Sequence, residues 1–140
     1  MSDSQNSATR FDSAPVGALI GMNVIPSNDL GTAEVTLDVT TQHHNPMGTV
    51  HGGVIALLAD TAMGVAFGRT LDADQTFGTI DLRVDFIRPV SETQLTAVGT
   101  IVKRGARVGF IRAEIHNQQQ KLIATASCTC LVVPLQPDAS

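Results

Sequence analysis

The chain has no tryptophan and no tyrosine, so it absorbs little at 280 nm, and a strong near-ultraviolet band after purification would report a bound aromatic or nucleotide ligand. Basic residues are also scarce. Nine Lys and Arg stand against thirteen Asp and Glu, a formal charge of −4, which argues against general nucleic-acid binding because that affinity rests on phosphate neutralisation by clustered cations. No positive region followed by an apolar core opens the chain, so no signal peptide is read and a cytoplasmic location is expected. The apolar run over residues 54–67 is too short and too rich in Gly and Ala for a membrane span. There are two cysteines, Cys128 and Cys130, two apart in a strand-like segment where both project from one face. No second pair or nearby histidine completes a zinc pattern, so free thiols in a reducing compartment are expected, with no metal and no other cofactor.

What is present fits one compact domain: 140 residues, 43% of them hydrophobic, suffice to bury a core. Residues 1–13 read as a flexible polar tail and 14–135 as a single domain. Pro15 opens a short helix over 16–20. Strands are expected over 24–26 and 32–39, where Ala33, Val35, Leu37 and Val39 alternate with polar residues. After a loop over 40–50 and an apolar helix ending near Gly68, strand-like runs cover 78–87, 94–103, 108–116 and 122–133. In the first of these Ile80, Leu82, Val84 and Phe86 alternate with Thr79, Asp81, Arg83 and Asp85. One buried helix followed by four consecutive antiparallel strands is an α+β arrangement. A curved antiparallel sheet of five to six strands wrapped around one long central helix is the hotdog fold, and its open edge is expected to pair with a second subunit.

Asp60 is the one residue between Gly52 and Gly68 that can carry a charge. Burying an ionised carboxylate costs several kcal/mol unless partners or a raised pKa compensate, so an acid in that setting points to chemistry or to a bond with some buried NH. Gly52-Gly53 at the helix entry offers unpaired NH groups at the positive end of the dipole, with no side chain to block a ligand. The same pair also suits an ordinary helix-entry turn.

The run Asn45-Pro46-Met47-Gly48-Thr49-Val50-His51-Gly52-Gly53, then Asp60, then Gly78-Thr79-Ile80-Asp81, resembles the signature of hotdog-fold thioesterases of the phenylacetate-degradation type. The likeness extends from about Gly17 to Val133 and includes the Arg88-Pro89 strand end. It implies hydrolysis of an aryl-acyl or short- to medium-chain acyl-coenzyme A thioester. Carried over by position, it makes Asp60 the catalytic carboxylate, as nucleophile or general base. Gly52 becomes the backbone donor to the thioester oxygen, Asn45 and His51 shape that pocket, and the Thr79 hydroxyl helps to hold the water or the carboxylate.

Spacing adds a constraint of its own. Asp60 lies eight residues beyond Gly52, roughly 12 Å along a helix axis, too far for both to act on one carbonyl. Two helices running antiparallel across a twofold axis remove the conflict, so the site is expected to be shared in a homodimer, itself expected to assemble into a tetramer. A stripe of Gly53, Ala56, Asp60, Gly64 and Phe67 is mostly small and would permit close approach, opposite Ile55, Leu58, Ala62 and Val65; tight packing on the sheet would use the same pattern. His43, His44 and His51 have no familiar ligand spacing, so His51 is read as fixing its loop. Arg88, Arg104 and Arg107 are candidates for the coenzyme A phosphates, with solvated surface charge as the plain alternative. Two rival functions are a hotdog hydratase or dehydratase, which needs a His and acid pair, and a non-catalytic acyl-coenzyme A-binding protein.

Overall fold

The computed structural model describes residues 10–136. Pro15 stands at the start of α1 (Pro15–Ile20), where its missing NH costs nothing, and Gly21 ends the helix at φ 88° with its NH on the Gly17 carbonyl. Then come β1 (Met22–Val24), β2 (Thr32–Asp38), a 3-10 turn (Thr41–His43), α2 (Gly52–Gly68), β3 (Gln75–Phe86), β4 (Gln94–Arg104), β5 (Val108–His116) and β6 (Leu122–Pro134).

The six strands form one antiparallel sheet in the order β1-β2-β4-β5-β6-β3. The expected α+β hotdog architecture is what the chain adopts: a curled sheet closing on one long helix. Of the four strands after α2, however, only β4, β5 and β6 are neighbours in chain order. β3 pairs with β6 at one edge, and the segment after Phe86 carries the chain across to the middle of the sheet, where β4 joins β2.

Alternation is clean in β2 and β5, whose inward residues Ala33, Val35 and Leu37, and Ile111, Ala113 and Ile115, are buried. They meet Leu58, Ala59, Ala62, Met63 and Phe67 of α2 in one core. Helix and sheet approach closely because Gly99 lies beneath the helix: a Cβ there would stand 2.5 Å from the Ala62 carbonyl oxygen.

The expected flexible tail over 1–13 is too long. Residues 1–9 lie outside the described part, but Arg10, Phe11 and Asp12 are fastened to the body. The Arg10 guanidinium donates to the carbonyls of Asp72, Ala73 and Gln75. Phe11 packs on Phe77 with ring centroids 5.3 Å apart. Asp12 pairs with Arg69, whose side chain is 1% exposed, at 3.1 Å. A polar composition concealed this anchor because its partners lie some sixty residues further along the chain.

β3 also departs from simple alternation. Thr79 is opposite Cys130 and Asp81 is opposite Thr129, so Ile80 is an extra residue in a bulge. Past it, Leu82, Val84 and Phe86 pair with the inward positions Cys128, Ala126 and Ala124. Before it, Phe77 packs inward on Phe67. The bulge therefore puts Thr79 on the helix-facing side, not on the outer face with Asp81, Arg83 and Asp85 as alternation predicts. Ile80 is turned outward and is 60% exposed.

Candidate active site

α2 and the inner face of β3 run antiparallel, and three contacts set their alignment. Phe86 lies against Gly52, where a Cβ would be 3.1 Å from its ring, and Phe77 lies against Gly64. Thr79 stands between them, beside Asp60, and its hydroxyl acts on the carboxylate as a hydrogen-bond donor. Asp60 is half-buried. Desolvation raises its pKa above the ordinary carboxylate value, and the Thr79 bond works against that rise.

Behind Thr79 lie the two cysteines, both free and buried. Cys130 Sγ is 3.8 Å from Thr79 Oγ1 and 3.8 Å from Cys128 Sγ. The expectation of two thiols on one face holds, but their proximity to Asp60 depends on the β3–β6 register, for which the sequence carried no signal.

At the helix entry, His51 is the N-cap: its Nδ1 accepts the Gly53 NH at 2.8 Å. The Gly52 NH has no acceptor among the described residues. It is thus an unpaired donor at the positive end of a seventeen-residue helix. Asn45 is used locally: its Oδ1 accepts the NH groups of Met47 and Thr49, and its Nδ2 donates to Thr49 Oγ1. With Gly48 at φ 83°, that turn fixes the loop delivering His51 and Gly52 to the helix.

The other imidazoles serve separate segments. His43 bonds the Thr40 NH and the Ile20 carbonyl, and His44 bonds the Ser91 carbonyl. The expected small-residue stripe is present in part: Gly53, Ala56, Asp60 and Gly64 are open or half-buried, whereas Phe67 is fully buried. Ile55, Leu58, Ala62 and Val65 form the buried side as anticipated.

Arg88, Arg104 and Arg107 do not come together in one chain. Arg88 lies beside Ile123 and Arg107 beside Val132, nine positions apart on β6 and so roughly 30 Å. Arg104 is occupied, bonding Thr70 Oγ1 at 2.9 Å and the Gly105 carbonyl and stacking over Phe67.

Among the described residues no helix is long and apolar enough to cross a membrane. Residues 47–124 match the family model of the thioesterase superfamily. The chain is 36% identical to the acyl-coenzyme A thioesterase PaaI of Escherichia coli, over 86% of this chain and 84% of that one. It is 40% identical to the medium/long-chain acyl-CoA thioesterase YigI of the same species, over 59% of this chain; it spans 62% of that relative's length. The solved structure of the Escherichia coli PaaI protein from the phenylacetic acid degradation operon superposes with a TM-score of 0.83 at 28% identity, over 96% of this chain and 97% of that one. The Haemophilus influenzae thioesterase HI1161 shares the fold, with a TM-score of 0.85 at 22% identity over the whole of this chain and 96% of that one. By family match and full-length likeness together, the chain belongs to the thioesterase superfamily.

Proposed function

We propose that the chain hydrolyses acyl-coenzyme A thioesters, with Asp60 acting on a carbonyl whose oxygen is held by the Gly52 NH of a partner subunit. The observation that carries this reading is the half-buried Asp60, lifted above the ordinary carboxylate range, on the same helix as an unpaired N-terminal NH. A thioester needs both functions: a donor on the oxygen where charge develops, and a base or nucleophile at the carbon. In one chain the two are eight residues apart on a continuous helix, roughly 12 Å, so each protomer would supply half of two equivalent sites. The thiolate of coenzyme A leaves readily, so no acid beyond water is required on the sulfur.

His51 supports this reading over a hydratase, because its Nδ1 is already engaged with the Gly53 NH. For the phosphates of coenzyme A, Arg88 and Arg107 are the free candidates of the expected trio. Asn45 and His51 act by shaping the loop and cap that present Gly52. The relatives' names span different acyl groups, so the substrate is best found by thiol release over a panel of aromatic and aliphatic acyl-coenzyme A esters. A homodimer is the minimum assembly this reading requires, and a tetramer of two such dimers is compatible with it.

One experiment tests activity and sharing together. Asp60→Asn removes the carboxylate. Gly52→Pro removes the NH at the first helical position, where Pro is tolerated. Each alone should lower turnover by roughly 100-fold or more. Mixed and reassociated, they should recover up to about one quarter of wild-type activity, because half the dimers are hybrids with one intact site each. No recovery in confirmed hybrids would place both groups in one chain's site and end the shared arrangement; full activity of Asp60→Asn alone would end the catalytic assignment.

A further inference from the structure

We infer that Cys130 is a positioning residue for Asp60, acting through Thr79 at the inner end of a buried hydrogen-bond chain that runs Cys128, Cys130, Thr79, Asp60. The inference rests on the proposed catalytic role of Asp60. Its basis is geometric. Thr79 and Cys130 are directly opposed in the β3–β6 ladder, immediately before the bulge, and their side-chain heteroatoms are 3.8 Å apart. Cys128 Sγ is 3.8 Å beyond, and both cysteines are buried, at 3% and 0% exposure.

Proton count allows one direction at a time. A threonine hydroxyl has one hydrogen, and either atom of the Thr79–Cys130 contact can be the donor. With that hydrogen turned to the Asp60 carboxylate, whose pKa Thr79 lowers, the Thr79 oxygen accepts from Cys130 and the Cys130 sulfur from Cys128. In that arrangement each donor points at the carboxylate, favours the ionised form that hydrolysis needs and restrains the Thr79 rotamer. A thiol is a weak donor, but both of these are buried away from bulk solvent.

Among the described residues of the elements packed on this chain, Asp81 is the one other charge that reaches it. α2 carries no second titratable residue. The inward residues of β4 and β5 facing the helix are Leu95, Ala97, Gly99, Ile111, Ala113 and Ile115, none of which titrates. β6 contributes the two thiols. Asp81 of β3, whose charge also reaches both thiols, accepts the Thr129 NH on the outer side.

The test is a double-mutant cycle on pure protein, after Asp60→Asn has been shown to abolish thiol release. Cys130→Val, close in volume but without a donor, should lower kcat roughly three- to tenfold with KM unchanged, and move the acid limb of the pH profile upward by about half a unit. Cys130→Ser, which keeps a donor, should restore both. Thr79→Val should give the same upward shift, and Cys130→Val should add nothing in that background. If Cys130→Val folds poorly, Cys130→Ala with the Asp60 pKa read by carbon-13 NMR replaces it, independently of turnover. Additive effects in the cycle, or an unmoved acid limb and Asp60 pKa, would overturn the role of Cys130 while leaving that of Asp60 intact. Retained hydrolysis by Asp60→Asn would remove the reading on which it stands.

Discussion

Asp60 makes a claim on stability whose sign pH can expose. Folding raises its pKa by desolvation, which outweighs the Thr79 bond, so the folded chain binds that proton more tightly than the unfolded one. The contribution is therefore fully present below the unfolded carboxylate value and is lost as pH rises through the higher folded value. Asp60→Asn, neutral at every pH, should melt above the parent at about pH 8, with the gap narrowing towards about pH 4; calorimetry across that range checks it. A gap that widened on acidification would mean that the carboxylate is held by a cation. His51 is a second residue with a separable role. Removing its cap on the Gly53 NH by His51→Ala should cost about 1 kcal/mol in chemical denaturation, and His51→Asn should recover most of it.

Elements were legible where one local signal sufficed. The apolar run from Gly52 with a lone acid gave α2 its limits, Pro15 gave α1 its start, and alternation gave β2 and β5. Alternation alone does not give the face of Thr79 in β3, because a bulge is set by the partner strand and leaves no mark in a pattern of alternating residues. The β3–β6 pairing was likewise hidden, since tight turns report only neighbours in sequence, and with it the thiols beside Asp60. Arg104 looked free in sequence and is spent on Thr70, Gly105 and Phe67. Gly99 carries a prediction at this scale. Its missing side chain admits the α2 backbone, with the Ala62 oxygen 2.5 Å and the Met63 nitrogen 2.9 Å from where a Cβ would sit. Backbone cannot rotate aside as a side chain can, so Gly99→Ala should destabilise by about 1–3 kcal/mol in urea and loosen the core without touching Asp60.

For the whole molecule, the exposed inventory is informative. Ile80, Leu82, Phe86 and Ile87, at 42–60% exposure, crowd the β3 edge and the strand end beside it, and an open apolar edge is a surface that proteins cover. The proposed shared site needs a partner along that side. If so, specific activity should fall on dilution in step with dimer dissociation seen by sedimentation, and Leu82→Glu should shift both curves together. Activity constant through dissociation would contradict sharing. At the opposite end of α2, the Asp12–Arg69 pair holds the N-terminal segment onto the body. Asp12→Ala leaves a guanidinium buried with only the Ile25 carbonyl for company, at a cost of about 3 kcal/mol, and should expose the segment to proteolysis ahead of global unfolding.

The bulge at Ile80 makes β3 a parity device. Because side chains switch sides at every step, Thr79 and Leu82, three residues apart, share the inner face only because Ile80 is extra. Deleting Ile80 would leave both inward in an unbulged ladder, whereas deleting Arg83 would turn either Leu82 or the pair Val84 and Phe86 outward. Where this strand loses a residue therefore matters more than which side chain Ile80 carries. Deletion of Ile80 should be tolerated far better than deletion of Arg83, and a deletion scan of residues 78–84 scored by thiol release would display that asymmetry.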